Sequence, residues 1–389
     1  MCIRDSDNSA RLDRETVDEL FAAEIISSAT KMGAFAACPY QHFAKYILKL
    51  KERKEFKLKP LDLGVFYHSV LDALLKKLRR SNKDFASIAD KELLEILREQ
   101  ISGFVQTDSF ISHFVRHSAH NSFIIHTAAE ALEDCVLAIT QMVRAGSFKP
   151  QLSEVSFDNY QIALSQGQRL ILKGKIDRLD TTDVNGEKIG LVFDYKRSAK
   201  PFSWSQFYHG LDMQAGIYMS AVREASGLKC NIEKVAGAFY MPVEREIKSV
   251  GIDESPVKKD SFNYKAKGIF NGQYSDQLDS ILSSGWSKFY NFRVTSKDKQ
   301  YGNYSVSGAL KPGDFEKVLR FTKEKIVQLA EEIISGSIDI SPYRLGGKSP
   351  CTYCKYKPVC RFDWQINDYN SLTSLGKTEV LERIGSIDG

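Results

Sequence analysis

The chain has 389 residues, 43% of them hydrophobic and 26% charged, with 25 glycines and 10 prolines. This is globular composition, and it excludes wholesale disorder, a collagen-like repeat and a disulfide miniprotein. Lys and Arg outnumber Asp and Glu by 54 to 49, a net charge of +5 that does not by itself announce a nucleic-acid partner. No apolar run is long enough to span a bilayer and the N-terminal stretch lacks the apolar segment of a secretory signal, so a cytosolic, reducing compartment is the expectation.

In chain order, residues 38–50, 65–80, 91–104 and 123–142 place apolar side chains at three- and four-residue spacing, and each predicts a helix. Overlapping the end of the first and running beyond it is a basic stretch, 45–59, with seven basic residues against two acidic. Lys45, Lys49, Lys51, Arg53 and Lys54, joined by Arg197 further on, are candidate phosphate contacts, with a solvated helix face as the competing reading. The period then changes to two. Residues 154–164, 169–180, 189–197 and 235–243 predict strands, and Gln166-Gly167 and Asn185-Gly186 predict hairpin turns. A helix over 206–225 separates the third strand from the fourth, and the order as a whole predicts an α/β fold, a mixed sheet covered by helices. Residues 244–312 are polar, rich in Gly and Ser and weakly periodic, and read as a loop insertion. Residues 314–335 predict an amphipathic helix, and 363–389 a polar tail with one short helix at 377–384.

Three of the seven cysteines, Cys351, Cys354 and Cys360, share the run C-T-Y-C-K-Y-K-P-V-C. Such spacing can wrap one metal ion or cluster, whereas three free thiols bunched by chance is the bland alternative. Three ligands imply a fourth. Cys38 is the choice because Cys135 lies in an apolar helical stripe, Cys230 in a turn and Cys2 at the terminus.

A second constellation sits on the strands. Asp177 ends one strand, and Asp194-Tyr195-Lys196 ends the next, with Asp194 and Lys196 on one face. The apolar lead-in over 189–193 makes an Asp and a Lys costly there unless a metal, a partner or a substrate satisfies them; a salt bridge at the core edge is the competing reading. Gln214 and Tyr218 stack one helical turn apart, and His68 lies at the edge of a buried stripe. Each alone has an ordinary structural explanation. Together they form one coherent metal-dependent phosphodiester site.

Five motifs occur in one order: GxxxH (Gly64, His68), GxxD (Gly174, Asp177), DYK (Asp194, Tyr195, Lys196), QxxxY (Gln214, Tyr218) and the split cysteine set. The pattern resembles the PD-(D/E)XK nucleases of the RecB type, most closely the AddB-type nuclease domains of helicase–nucleases, over residues 28–363. The resemblance implies a restriction-endonuclease-like sheet flanked by helices, with a helical insertion at about 80–145 and a loop insertion at about 244–312. Residues 1–27 would be a remnant or linker and 364–389 a tail. It also implies Mg2+ or Mn2+ held by Asp177, Asp194, the Tyr195 carbonyl and His68. Lys196 would act beside the metal, Gln214 and Tyr218 would position the strand, and a [4Fe-4S] cluster would be held by Cys38, Cys351, Cys354 and Cys360. The implied substrate is DNA, single-stranded or at a duplex end, in break repair, and the implied partner is an AddA-like helicase-nuclease subunit.

AddB-type chains carry a long helicase-like region, yet no GxxxxGK[ST] loop occurs here; Gly346-Gly347-Lys348-Ser349 lacks the upstream glycine. A fragment of a longer subunit is therefore the expectation. Two alternatives stay open: a standalone four-cysteine exonuclease of the CRISPR-associated type, and a non-catalytic DNA-end-binding module with structural zinc.

Overall fold

The computed structural model describes residues 8–21, 24–51, 60–224, 231–245 and 262–386. Helix α1 (Arg14–Phe21) and strand β1 (Glu24–Ser27) lead into α2 (Ala29–Ala37), α3 (Pro39–His42) and a π-helical turn over Phe43–Ile47. Ser28 starts α2, its hydroxyl accepting from the Lys31 N–H. Four helices follow: α4 (Pro60–Arg80), α5 (Asp90–Thr107), α6 (Ser109–His117) and α7 (Ala119–Ala145). Their apolar stripes meet in one core, with Leu71, Leu74 and Leu78 of α4, Leu93 and Leu97 of α5 and Leu132 and Ile139 of α7 all buried.

Strands β2 (Lys149–Ala163), β3 (Arg169–Val184) and β4 (Glu187–Lys196) run antiparallel. Asn185 (φ 54°) and Gly186 (φ 85°) supply the two left-handed residues that the β3–β4 hairpin needs. Helices α8 (Trp204–Tyr208) and α9 (Gln214–Glu224) then carry the chain back, so that β5 (Lys234–Pro242) lies parallel to β4. Strand β6 (Lys267–Asn271) pairs antiparallel with β5. Beyond it come α10 (Ser275–Leu278), a small sheet of β7 (Gly285–Trp286), β8 (Arg293–Thr295) and β9 (Lys299–Gly302), and β10 (Ala309–Leu310), which pairs parallel with β6. The chain ends in α11 (Pro312–Ile334), β11 (Tyr343–Leu345), α12 (Lys357–Cys360), β12 (Asn370–Leu372) and α13 (Lys377–Gly385).

Helices α4–α7 cover one face of the main sheet, where Ile189, Leu191, Phe193 and Tyr195 of β4 join their core. Helices α2, α9, α11 and α13 cover the other, around Leu170, Leu172, Val192 and Ala238. This is the mixed α/β sheet flanked by helices that the motif pattern implied.

One irregularity in the sheet creates the site. Strand β2 follows one edge of β3 from Arg169 to Thr181. On the opposite edge, β1 pairs with residues 169–172 and β4 with residues 178–184. Because β1 runs parallel to β3 and β4 antiparallel, their C-terminal ends face each other across residues 173–177, and Asp177 lies in that interval.

Three expectations need correction, and the short helix expected in the tail is present but packs into the core. The helix over 206–225 is broken between α8 and α9, where Gly210 takes a left-handed φ of 76° that ends the first helix. The described part of 244–312 is no loop insertion; it supplies β6 and β10 to the main sheet, and Phe270, Tyr290 and Phe292 to the core. The residues before Ser28 are more than a linker, since β1 extends the sheet. The polar tail carries α13, whose Val380, Leu381 and Ile384 are buried and whose Lys377 donates to the Ser307 and Ala309 carbonyls, both at 2.8 Å.

Candidate active site

Strand parity sets the first layer of the site. On β4, alternate residues turn to opposite faces, so Tyr195 joins the α4–α7 core while Asp194 and Lys196 face α9. The helix break aims Gln214 at them from the first turn of α9. Its Nε2 donates to Asp194 Oδ1 at 2.5 Å, its Oε1 accepts from Lys196 Nζ at 2.9 Å, and Lys196 Nζ lies 2.5 Å from Asp194 Oδ2. One helical turn on, the Tyr218 hydroxyl accepts from Gln214 Nε2 as well, at 3.1 Å. The glycine of the GxxD motif has a steric reason here. A Cβ at Gly174 would come within 2.5 Å of the Phe157 ring, which packs edge-on against Tyr218.

The second layer gathers at the interval in β3. His68, on α4, brings Nδ1 to 3.2 Å from Asp177 Oδ1 and 3.4 Å from Glu154 Oε1, and Lys175 Nζ sits 2.6 Å from Glu154 Oε2. The main-chain N–H of Tyr195 donates to Asp177 Oδ2 at 2.7 Å. Burial works against the charge on His68, yet Asp177 and Glu154 outweigh it and hold the imidazole up to about 10. Against its own burial, Glu154 is drawn below the usual carboxylate range by His68 and Lys175. Burial, and behind it the Asp177 charge, push the Asp194 carboxyl up, with Lys196 opposing.

The residues present fit a divalent cation. Ligand atoms of His68, Glu154 and Asp177 lie within 4.8 Å of one another, and Asp194 Oδ2, buried, has a charge contact with Lys196 and no well-aligned hydrogen bond. Carboxylate oxygens with one imidazole suit Mg2+ or, better, Mn2+. Glu154 was not among the sequence candidates. Its left-handed φ of 50° interrupts an otherwise extended strand, and no spacing rule anticipates that kink.

The four predicted cysteines converge. Cys38, Cys351, Cys354 and Cys360 line one cavity with Tyr40, Pro350 and Phe362. Cys38 is buried between α2 and α3, its thiol pushed up to about 11 chiefly by that burial. Cys135 stays apart, in the α4–α7 core. Of the basic candidates, Lys45, Lys49 and Lys51 are exposed. Arg197 is held by both carboxylate oxygens of Glu244 at 2.9 Å, so it is already paired. Arg53 and Lys54 lie outside the described residues.

Comparison with known proteins decides the family. A profile of the PD-(D/E)XK nuclease superfamily matches residues 27–361, a span that includes every residue of both clusters. The chain belongs to that superfamily. Among curated proteins, this chain is similar to the B subunit of the ATP-dependent helicase/deoxyribonuclease of Exiguobacterium sibiricum, 26% identical over 96% of this chain and 34% of the relative. The proteins of the same name from Thermoanaerobacter sp. (29% identical, 94% and 32%) and Clostridium botulinum (28%, 97% and 34%) are similar to it as well. The chain thus spans about a third of the length of the curated relatives it matches. No helix among its described residues is long and apolar enough to cross a membrane.

Proposed function

We propose that this nuclease hydrolyses phosphodiester bonds of DNA with Mg2+ or Mn2+, as the nuclease part of an AddB-like subunit that works with an AddA-like helicase-nuclease partner in double-strand break repair. The observation that carries the reading is the convergence of Asp194 and Lys196 on Gln214 beside the Asp177–Glu154–His68 group. The names of the relatives, which join helicase to deoxyribonuclease, support DNA as the substrate.

In this reading Asp177, Asp194, the Tyr195 carbonyl and His68 hold the cation, with Glu154 beside them. When bound, the cation polarises the scissile phosphate and makes a bound water more acidic. Lys196 places a positive charge where negative charge builds on the phosphate oxygens. Gln214 fixes Asp194 and Lys196 relative to each other, and Tyr218 steadies Gln214. Lys45, Lys49 and Lys51 supply phosphate contacts along the incoming strand. Cys38, Cys351, Cys354 and Cys360 would hold a [4Fe-4S] cluster that ties the start of the domain to its end. That all four cysteines line one cavity supports a shared metal centre there.

Labelled single-stranded DNA incubated with the purified chain tests the reading. Cleavage is expected with Mg2+ and not with chelator, and Asp194→Ala or Lys196→Ala should abolish it while leaving fold and DNA binding in place. Undiminished cleavage by the double variant refutes the assignment.

A further inference from the structure

Two of the most deeply buried charged residues among the described ones lie behind the site. Arg178 Nε and Asp180 Oδ1 form an ion pair at 2.9 Å, with side-chain exposures of 3% and 2%. Arg178 follows Asp177 in sequence and packs against Phe193 and Tyr195 of β4. Its Nη1 donates to the Tyr195 hydroxyl at 3.1 Å, and its guanidinium lies over the Phe193 ring, 3.9 Å from the centroid. Tyr195 faces the site in two further ways: its N–H donates to Asp177 Oδ2, and its ring meets the His68 imidazole edge to face, centroids 6.0 Å apart.

Stability does not account for such a pair. Two charges removed from water are often replaced without loss, or with gain, by apolar residues of similar volume. What the pair does supply is direction. Although the Arg178 Nε–Asp180 Oδ1 contact is a charge contact without hydrogen-bond alignment, a planar guanidinium confined between a carboxylate and a ring presents Nη1 toward Tyr195.

We propose that the Arg178–Asp180 pair is a positioning device for the cation site, acting through Tyr195: it fixes the ring and main chain of Tyr195, and Tyr195 in turn sets Asp177 and His68 at the spacing a cation requires. The inference rests on the metal-dependent reading above. Groups that orient metal ligands typically change affinity 10- to 100-fold when removed.

Mn2+ affinity of the purified chain without DNA, measured by calorimetry, tests it. Wild type and Asp177→Ala come first. Mn2+ binding that ignores Asp177 would refute the metal reading itself and with it this proposal. Given Asp177-dependent binding, Arg178→Met with Asp180→Leu, which removes both charges together, should keep the thermal midpoint at or above wild type while weakening Mn2+ about 10-fold or more. Cleavage lost at limiting Mn2+ should return at high Mn2+. Unchanged affinity in a folded double variant overturns the positioning role. Should that variant fail to fold, Tyr195→Phe decides, since it removes only the hydroxyl that Arg178 holds: weakened Mn2+ binding supports the proposal and wild-type binding overturns it.

Discussion

Gln214 reaches Asp194 across 20 positions of chain, its amide nitrogen 2.5 Å from Oδ1 of a carboxylate that is only 5% exposed. A hydrogen bond to a buried charge contributes on the order of 1.5–3 kcal/mol. Losing it should slow cleavage roughly 10- to 100-fold if the bond persists in the transition state. Gln214→Ala is therefore expected to cut kcat within that range. Gln214→Glu should be worse, because it sets a second carboxylate against Asp194 and raises further a group already pushed up. Its pH–rate profile should shift its rising limb to higher pH, and an unshifted limb would argue against the bond.

His68 makes the metal-free protein sensitive to alkali. Its folded-state value, about 10, lies above that of a free histidine, about 6.5, so its bonds to Asp177 and Glu154 stabilise fully below the lower value and are lost as pH rises through the higher one. In chelator, wild type should exceed His68→Gln in stability at neutral pH, and the gap should close toward pH 10. Urea denaturation at several pH values checks this; a constant gap is the contrary result.

Cys38 shares a cavity with Cys351, Cys354 and Cys360, whereas Cys135 donates to the Pro242 carbonyl inside the α4–α7 core. Iron content and visible absorbance of anaerobically purified protein should accordingly fall in Cys38→Ala and persist in Cys135→Ala. A loop this long, if closed by ligation, restrains the unfolded chain on the order of 5 kcal/mol by analogy with disulfides. The Cys38 variant should therefore also unfold at lower denaturant. Full iron content in Cys38→Ala would remove it from the ligand set.

The exposed lysines offer an ionic test. If Lys45 and Lys49 touch phosphates, changing both to Gln should weaken binding to every single strand alike and flatten the salt dependence by about 0.7 for each phosphate no longer neutralised. An unchanged slope would mark a solvated face. Arg197, paired with Glu244, should leave the slope unaltered when replaced by Gln.

What could be read in advance divides along physical lines. Asp194, Lys196, Gln214 and Tyr218 were legible because strand and helix periods alone decide which of them share a face. The break at Gly210 was not, since an isolated glycine is compatible with a continuing helix and only packing selects the left-handed turn. Glu154 was hidden for a similar reason: its place beside His68 depends on one unusual φ. The strands of 262–310 escaped notice because they are short and their surroundings hold buried polar groups such as Asn271, Asp279 and Ser287. Lys377 likewise reads as a surface residue until the carbonyls that receive it are seen.

The alternation along β4 has a consequence for how this strand can change. Ile189, Leu191, Phe193 and Tyr195 belong to one core, and Val192, Asp194 and Lys196 to the other side. Loss or gain of a single residue between Ile189 and Phe193 would exchange the two sets, thrusting Tyr195 toward Gln214 and burying Asp194 and Lys196 against α7. The hairpin at Asn185-Gly186 can lengthen without moving the paired residues beyond it. Length variation in this segment is thus confined to the turn, and the strand itself tolerates substitution but not insertion.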